Sequence, residues 1–260
     1  MKSQELKNVL EMHKKWVMGQ EGGSKADLSS ADLSYANLCN VNLSYTDLSN
    51  ADLNNADLSF ANLSFADLNS ADLRSANLNT ADLRNADLRN ADLLNANLSY
   101  TDLRNANLGS ADLRNADLLN ANLRNANLRN TNLHTANLSF IKDDFYRVIE
   151  IVPMEILGLY DALMRGQVDG TQYSGECACL VGTIANQRKE HYEALTVNLK
   201  PDASRPAERW FLAIAKGDTP QNNQISKITC EWIEEFCKSK QIPLPSYKLV
   251  SSVEYPEVFK

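Results

Sequence analysis

Residues 26–50 read ADLSS ADLSY ANLCN VNLSY TDLSN, and the five-residue period they set continues without an insertion to ANLSF at residues 136–140. Leucine stands at every fifth position from Leu28 to Leu138, twenty-three times in all. Two residues before each leucine is a small side chain: nineteen Ala, three Thr (Thr46, Thr101, Thr131) and one Val (Val41). Neither the helical period of about 3.6 nor the strand period of about 2 divides five, so a regular helix or a long flat strand would scatter these leucines to all sides. A coil that turns a corner once per pentad keeps every leucine inside.

The pattern A(D/N)LXX resembles the pentapeptide repeat family, and the resemblance covers 115 of the 260 residues. It implies a β-solenoid, a right-handed quadrilateral β-helix of nearly six coils, with the leucine and the preceding small residue inward and the other three positions outward. At a strand spacing of about 4.8 Å the rod is about 28 Å long. No single coil buries its own faces, so both ends require caps.

The first cap is legible directly. Leu6, Val9, Leu10, His13, Trp16 and Val17 form one stripe of an amphipathic helix, with Gly22 and Gly23 expected to end it. His13 reads as a packed residue of that stripe. The organisation expected is residues 1–25 as capping helix and entry loop, 26–140 as the β-helix, and 141–260 as a mainly α-helical C-terminal domain. In the last, helices are expected from Pro153 to Gly166, Glu176 to Lys189, Ser204 through RPAERWFLAIA, and Gln221 to Lys238, with an extended tail containing Pro243, Pro245 and Pro256.

The outside of the rod is where function must lie. The residue before each leucine is Asp thirteen times and Asn ten times, and a twenty-residue coil stacks Asp32, Asp52, Asp72, Asp92 and Asp112 in one column. Charge is uneven along the rod. Residues 26–73 hold seven aspartates (Asp27, Asp32, Asp47, Asp52, Asp57, Asp67 and Asp72) and no basic residue, whereas residues 74–140 hold six aspartates and seven arginines. Arg84, Arg104 and Arg124 are expected to form a basic column, interleaved with Asp as a solvated, self-neutralising face. Tyr35, Tyr45, Phe60 and Phe65 place outward rings in the acidic half, with Tyr45 and Phe65 expected to stack. Rings beside carboxylates suit a protein partner, or they stack on one another or lie under the C-terminal domain.

Composition narrows the function. The net charge of −7 and pI of about 5.1 argue against direct nucleic-acid binding. Nothing approaches a run of about 18 apolar residues, so no membrane span is expected, and the N-terminus lacks a secretory pattern, so the cytoplasm is the expected location. Five cysteines (Cys39, Cys177, Cys179, Cys230, Cys237) are an odd and scattered set, expected to be reduced. Cys177 and Cys179 with His191 match no closed zinc spacing, and no cofactor fingerprint appears, so neither metal, cofactor nor catalysis is expected.

Strings such as GECACLVGTIAN (175–186) and SRPAERWFLAI (204–214) resemble the C-terminal region of pentapeptide repeat proteins from bacteriophages and prophages, which implies a mobile-element origin. Some members of the family resemble duplex DNA in width and charge and occupy the DNA-binding saddle of type II topoisomerases. The resemblance therefore implies a DNA-mimic inhibitor of a host protein with a basic nucleic-acid-binding surface: a topoisomerase, restriction enzyme, CRISPR effector or other defence nuclease. A scaffold whose helical domain makes the specific contact is the alternative, and a homodimer is left open.

Overall fold

Burying every fifth residue requires a backbone that bends between successive leucines, and the chain does this by the same device at each pentad. The computed structural model describes residues 3–153, 155–169, 180, 206–211 and 213–244. Parallel bridges join positions twenty apart, from Asp27 with Asp47 to Asp117 with Asn137. With five residues to a side, a twenty-residue coil has four faces. Each bridge has two bonds: Leu33 N–H donates to the Asp52 carbonyl (2.7 Å) and Asp52 N–H to the Ala31 carbonyl (2.9 Å). The described coil residues form isolated bridges rather than longer strands, because two residues of each pentad are spent on the corner.

At the first corner Ala31 N–H closes on the Leu28 carbonyl at 3.1 Å around Ser29 and Ser30. The second corner residue is left-handed, with φ between 56° and 65° at twenty-two successive corners from Ser30 to Thr135. Asn fills eleven of these corners and glycine none. Asn enters this region more readily than most L-residues, which explains its enrichment at the fifth position of the pentad. Tyr35, Tyr45, Phe60, Phe65 and Tyr100 occupy the same conformation with bulky rings.

The interior is uniform. All twenty-three repeat leucines are buried, at 0–8% exposure, and a buried leucine contributes roughly 1.5–3 kcal/mol of transfer free energy before ordering entropy. Thr101 and Thr131 replace inward alanines without leaving a hydroxyl unsatisfied: their Oγ1 atoms donate to the carbonyls of Leu78 (2.9 Å) and Leu108 (2.8 Å).

Helix α1, Ser3–Val17, covers the first coil. His13 is fully buried, its Nδ1 accepting the N–H of Ala26 at 3.1 Å and its Nε2 lying 3.3 Å from Thr46 Oγ1. The helix ends earlier than the expected Gly22–Gly23. Gly19, at φ 64°, makes the left-handed stop, with Gln20 N–H returning to the Lys15 carbonyl and Gly19 N–H to that of Trp16, both at 2.9 Å. Gly23 is needed for a different reason. A Cβ there would lie 2.2 Å from the Trp16 amide nitrogen, so only glycine lets the entry loop lie against the helix.

At the other end, helix α2 spans Ser139–Ile151 and begins inside the last pentad, so Ser139 and Phe140 are helical. Its Ile141, Phe145, Val148 and Ile149 are buried. Helices α3 (Ile156–Met164), α4 (Pro206–Phe211) and α5 (Gln224–Lys240) follow. Helix α2 packs on α4, and α3 on α5. Phe145 lies against Phe211 (6.0 Å between ring centres) and Trp232 (5.9 Å), and Trp210 stacks on Trp232 while donating Nε1–H to Thr229 Oγ1 at 2.9 Å. Asn223 caps α5 by accepting the Ser226 N–H at 2.9 Å, which sets the start of the helix at Gln224 instead of Gln221. Helix α4 is shorter than expected, Ala213 and Ile214 lying beyond it. Apart from Leu180, the expected helix at Glu176–Lys189 lies outside the described residues, as do Ser204, Pro245 and Pro256.

Candidate functional site

Each Asp or Asn before a leucine has a structural role as well as an outward one. Its Oδ1 accepts the N–H of the residue two positions on: Ser29 to Asp27 (3.1 Å), Ser49 to Asp47 (2.9 Å) and Asn69 to Asp67 (2.9 Å). Asn42 does the same for Ser44 at 3.0 Å. Asp and Asn interchange at this position because each presents Oδ1. The aspartates expected as wholly outward charges are therefore half engaged in the fold, leaving Oδ2 as the outward atom.

The residue two after the Asp decides how its charge is met. In the first coils it is often serine, whose hydroxyl reinforces the same oxygen: Ser29 to Asp27, Ser34 to Asp32 and Ser49 to Asp47, each at 2.7 Å. These bonds, the serine hydroxyl first and the backbone N–H second, hold the Asp27 and Asp32 carboxyls below the ordinary carboxylate range. Serine adds no opposite charge. In the later coils the same position is often arginine, paired with Asp87 through Arg89, Asp102 through Arg104 and Asp112 through Arg114, each at 2.6 Å, while Asp92 and Asp117 are followed by Leu94 and Leu119. Arg84 pairs with Asp82 at 2.5 Å and reaches up one coil to Asp102 at 3.8 Å.

These pairs correct one expectation, that the aspartates before Arg74 are unneutralised, and they make the arginine column self-neutralising at Arg84 and Arg104. Asp72, counted with the acidic half, is held by Arg74, which also approaches Asp92 at 3.7 Å and keeps the Asp72 carboxyl below its ordinary range. In the expected basic column, Arg84 and Arg104 are neutralised by their own pentads. Arg124 and Arg129 follow Asn122 and Asn127 and have no carboxylate within ion-pair distance among the described residues.

The residues expected to bind a partner are spread over four faces. Asp27, Asp47 and Asp67 stack on one, and Asp32, Asp52 and Asp72 on the next, which also carries Tyr35. Over the first three coils the shared edge of these faces is lined by Ser29, Ser30, Ser49, Asn50, Asn69 and Ser70 and carries no basic side chain, and Arg89 enters the same edge one coil later. Asp57 and Phe60 occupy the third face. Tyr45 and Phe65 belong to the fourth, stacked at 4.9 Å with an interplanar angle of 4°. Trp16 of the cap adds an edge-on contact to Tyr45 at 6.1 Å. This pair is thus partly an extension of the cap, whereas Tyr35, at 76% exposure, projects alone.

Among the described residues no group of three His, Cys, Asp or Glu is placed to hold a metal, and no helix is long and apolar enough to cross a membrane. Cys177, Cys179 and His191 lie outside the described residues. Cys230 and Cys237 are buried in α5, and burial pushes the Cys230 thiol up to about 12, which keeps it protonated at neutral pH.

Fold and surface together define a short solenoid whose interior is packing and whose variable chemistry sits on four ladders. The segment 24–139 is a run of pentapeptide repeats: the family model for pentapeptide repeats matches in eight copies, over residues 24–59, 61–99, 71–109 and 101–139. A right-handed β-helix is the fold of that family. Among solved structures the chain is similar to alr5209, a pentapeptide repeat protein of Nostoc PCC 7120, at 36% identity over 51% of this chain and 88% of that one, with a TM-score of 0.24. It is also similar to a pentapeptide repeat protein of the Arabidopsis thaliana thylakoid lumen, at 28% identity over 40% of this chain and 72% of that one, TM-score 0.31. QnrB1, a plasmid-mediated fluoroquinolone resistance protein, matches at 20% identity over 44% of this chain and 66% of that one, TM-score 0.19. No curated protein gives a significant match. Pentapeptide repeat proteins are generally structural or binding modules rather than enzymes.

Proposed function

We propose that the protein is a non-enzymatic binding module that competes with nucleic acid for the basic groove of a host nucleic-acid-binding protein, in the manner of a DNA mimic. The observation that carries the reading is the edge between the first two faces. In the first three coils two parallel columns of carboxylates, spaced by about 4.8 Å along the rod, flank a strip of serine and asparagine with no basic side chain, and of their six carboxylates Asp72 is the one held by an arginine, Arg74. Affinity for duplex DNA depends on neutralising ordered negative charges with lysine and arginine, so a rigid acidic ladder competes for the same cations. Serine, by bonding Oδ1, fixes the Asp27 and Asp47 carboxylates without cancelling them.

The test is displacement of duplex DNA from a type II topoisomerase or a defence nuclease by the purified chain, alongside the triple variant Asp47→Asn, Asp52→Asn, Asp67→Asn. Asparagine retains Oδ1 and therefore the corner, as Asn42 shows, so only charge is removed. Displacement is expected to weaken at least about tenfold. Undiminished displacement by the triple variant overturns the reading, and loss only on removal of residues 141–260 transfers the activity to the helical segment.

A further inference from the structure

The third face differs from the other three. Its column runs Asn37, Asp57, Asn77, Asn97, Asp117, Asn137, and it holds no arginine. Its two carboxylates are bonded by neutral donors, backbone and side-chain amides and a hydroxyl, and by no guanidinium group. Asp57 receives the Ser59 N–H (3.0 Å) and Asn77 Nδ2 (3.1 Å). Asp117 receives the Leu119 N–H (3.0 Å), Ser99 Oγ (2.9 Å) and Asn137 Nδ2 (2.9 Å). Carboxylates already bonded in this way lose less on being taken out of water. Along the adjoining corner stand Phe60 and Tyr100, each 56% exposed, and forty residues after Tyr100 comes Phe140, 38% exposed, which lies in the first turn of α2 instead of a corner. Phe60 and Tyr100 hold left-handed backbone with no ring stacked on them among the described residues.

The arrangement is symmetric about the coil of Asn97 and Tyr100. Asp57 and Asn137 lie two coils to either side, and Asn77 and Asp117 one coil. A second rod laid antiparallel on this face brings Tyr100 to Tyr100 and Phe60 to the end where α2 begins. It also sets Asp57 against Asn137 and Asn77 against Asp117, so each carboxylate meets an amide. A parallel rod in register would set Asp57 on Asp57 and Asp117 on Asp117, like charge on like. We infer that this face is the docking surface for a second copy of the chain, antiparallel, with the two-fold axis at Asn97 and Tyr100. An isologous interface requires such self-complementarity. The Asp27 and Asp47 column, on the opposite side of the rod, remains outward in the dimer, so the inference goes beyond the proposed competition with nucleic acid and fails independently of it.

The experiment is analytical ultracentrifugation of the full chain across the micromolar range, with circular dichroism as the check on folding. Wild type is expected to dimerise. Tyr100→Arg sets two guanidinium groups against each other at the axis and is expected to weaken the dimer about 30-fold, the loss typical of a central aromatic anchor. Asn90→Arg, at an exposed corner between the first two faces, is expected to leave the dimer unchanged. Should Tyr100→Arg not fold, Tyr100→Asn places the commonest corner residue there and tests the same anchor. Register is read by Asn77→Asp, which opposes Asp117 and weakens the dimer, and by the double variant Asn77→Asp, Asp117→Asn, which restores it. A wild type that stays monomeric, or a dimer indifferent to Tyr100, overturns the inference. A dimer that the double variant does not restore overturns the antiparallel register.

Discussion

The coils before Arg74 and those after it have the same interior and the same corners, and they differ in the residue that follows each leucine. Where that residue is Ser29 or Ser49, the aspartate is oriented and keeps its charge; where it is Arg89, Arg104 or Arg114, the aspartate is oriented and cancelled. A single outward position, repeated, thus sets the field along the rod while stability is left to leucine and to the bridges. Fold and surface charge are written in separate columns of one pentad.

That separation is open to test. Leu53→Ala and Leu93→Ala, one in each half, are each expected to cost about 2–5 kcal/mol, because a fully buried leucine leaves a cavity that two flanking coils cannot close. Equal losses in chemical denaturation support a common interior, and a clear inequality breaks the comparison. Next in size, His13→Ala removes the acceptor of the buried Ala26 N–H and is expected to cost about 1–3 kcal/mol, confined to the first coils and visible as faster hydrogen exchange there. The same contact has a pH dependence. Burial, helped by Lys25 and opposed by the Ser44 carbonyl, lowers the His13 pKa below 6.5. The neutral ring is the folded form, so the cap's stability is full above 6.5 and declines as the pH falls through the histidine's own lower value, when Nδ1 takes up a proton and can no longer accept from Ala26.

Smaller effects sharpen the contrast at the surface. Ser34→Arg together with Ser49→Arg grafts the later pattern onto the earlier coils. It is expected to leave the denaturation midpoint almost unchanged while lowering the competition with DNA. Replacing Arg84 and Arg104 by serine is expected to shift the midpoint only slightly, with the difference vanishing in molar salt. Smallest of all, Tyr35→Asn is expected to stabilise the rod by up to about 1 kcal/mol, because an isolated ring gives way to a side chain suited to positive φ. A loss of stability instead would mean that Tyr35 has a packing role.

Much of this was legible in the period alone: the leucine and small-residue columns, the cap stripe of Leu6, Val9, Leu10 and His13, the stacking of Tyr45 on Phe65 and the uneven charge all follow from spacing, whereas Trp16 and Val17 of the expected stripe are exposed. The engagement of Oδ1 did not emerge, because the aspartates were read for charge; the free exchange of Asp with Asn at one position was the signal that geometry mattered more. Asparagine at half the left-handed corners was a second such signal. Helix α2 was missed for a different reason. Its first turn is written in repeat letters, Ser139 and Phe140, so the pentad reading ran past the start of the helix, although Ile141, Phe145, Val148 and Ile149 form an apolar stripe.

The bridges that tie each residue to the one twenty positions on also make the rod an indexing device. Gain or loss of one pentad would keep every leucine inside and preserve every corner. It would nevertheless rotate all that follows by a quarter turn relative to the N-terminal cap, moving each later aspartate and arginine onto a new face and re-aiming the helical segment. Four pentads restore the original phase and lengthen the rod by one coil. Sequence changes in units of five therefore set direction, and those in units of twenty set reach.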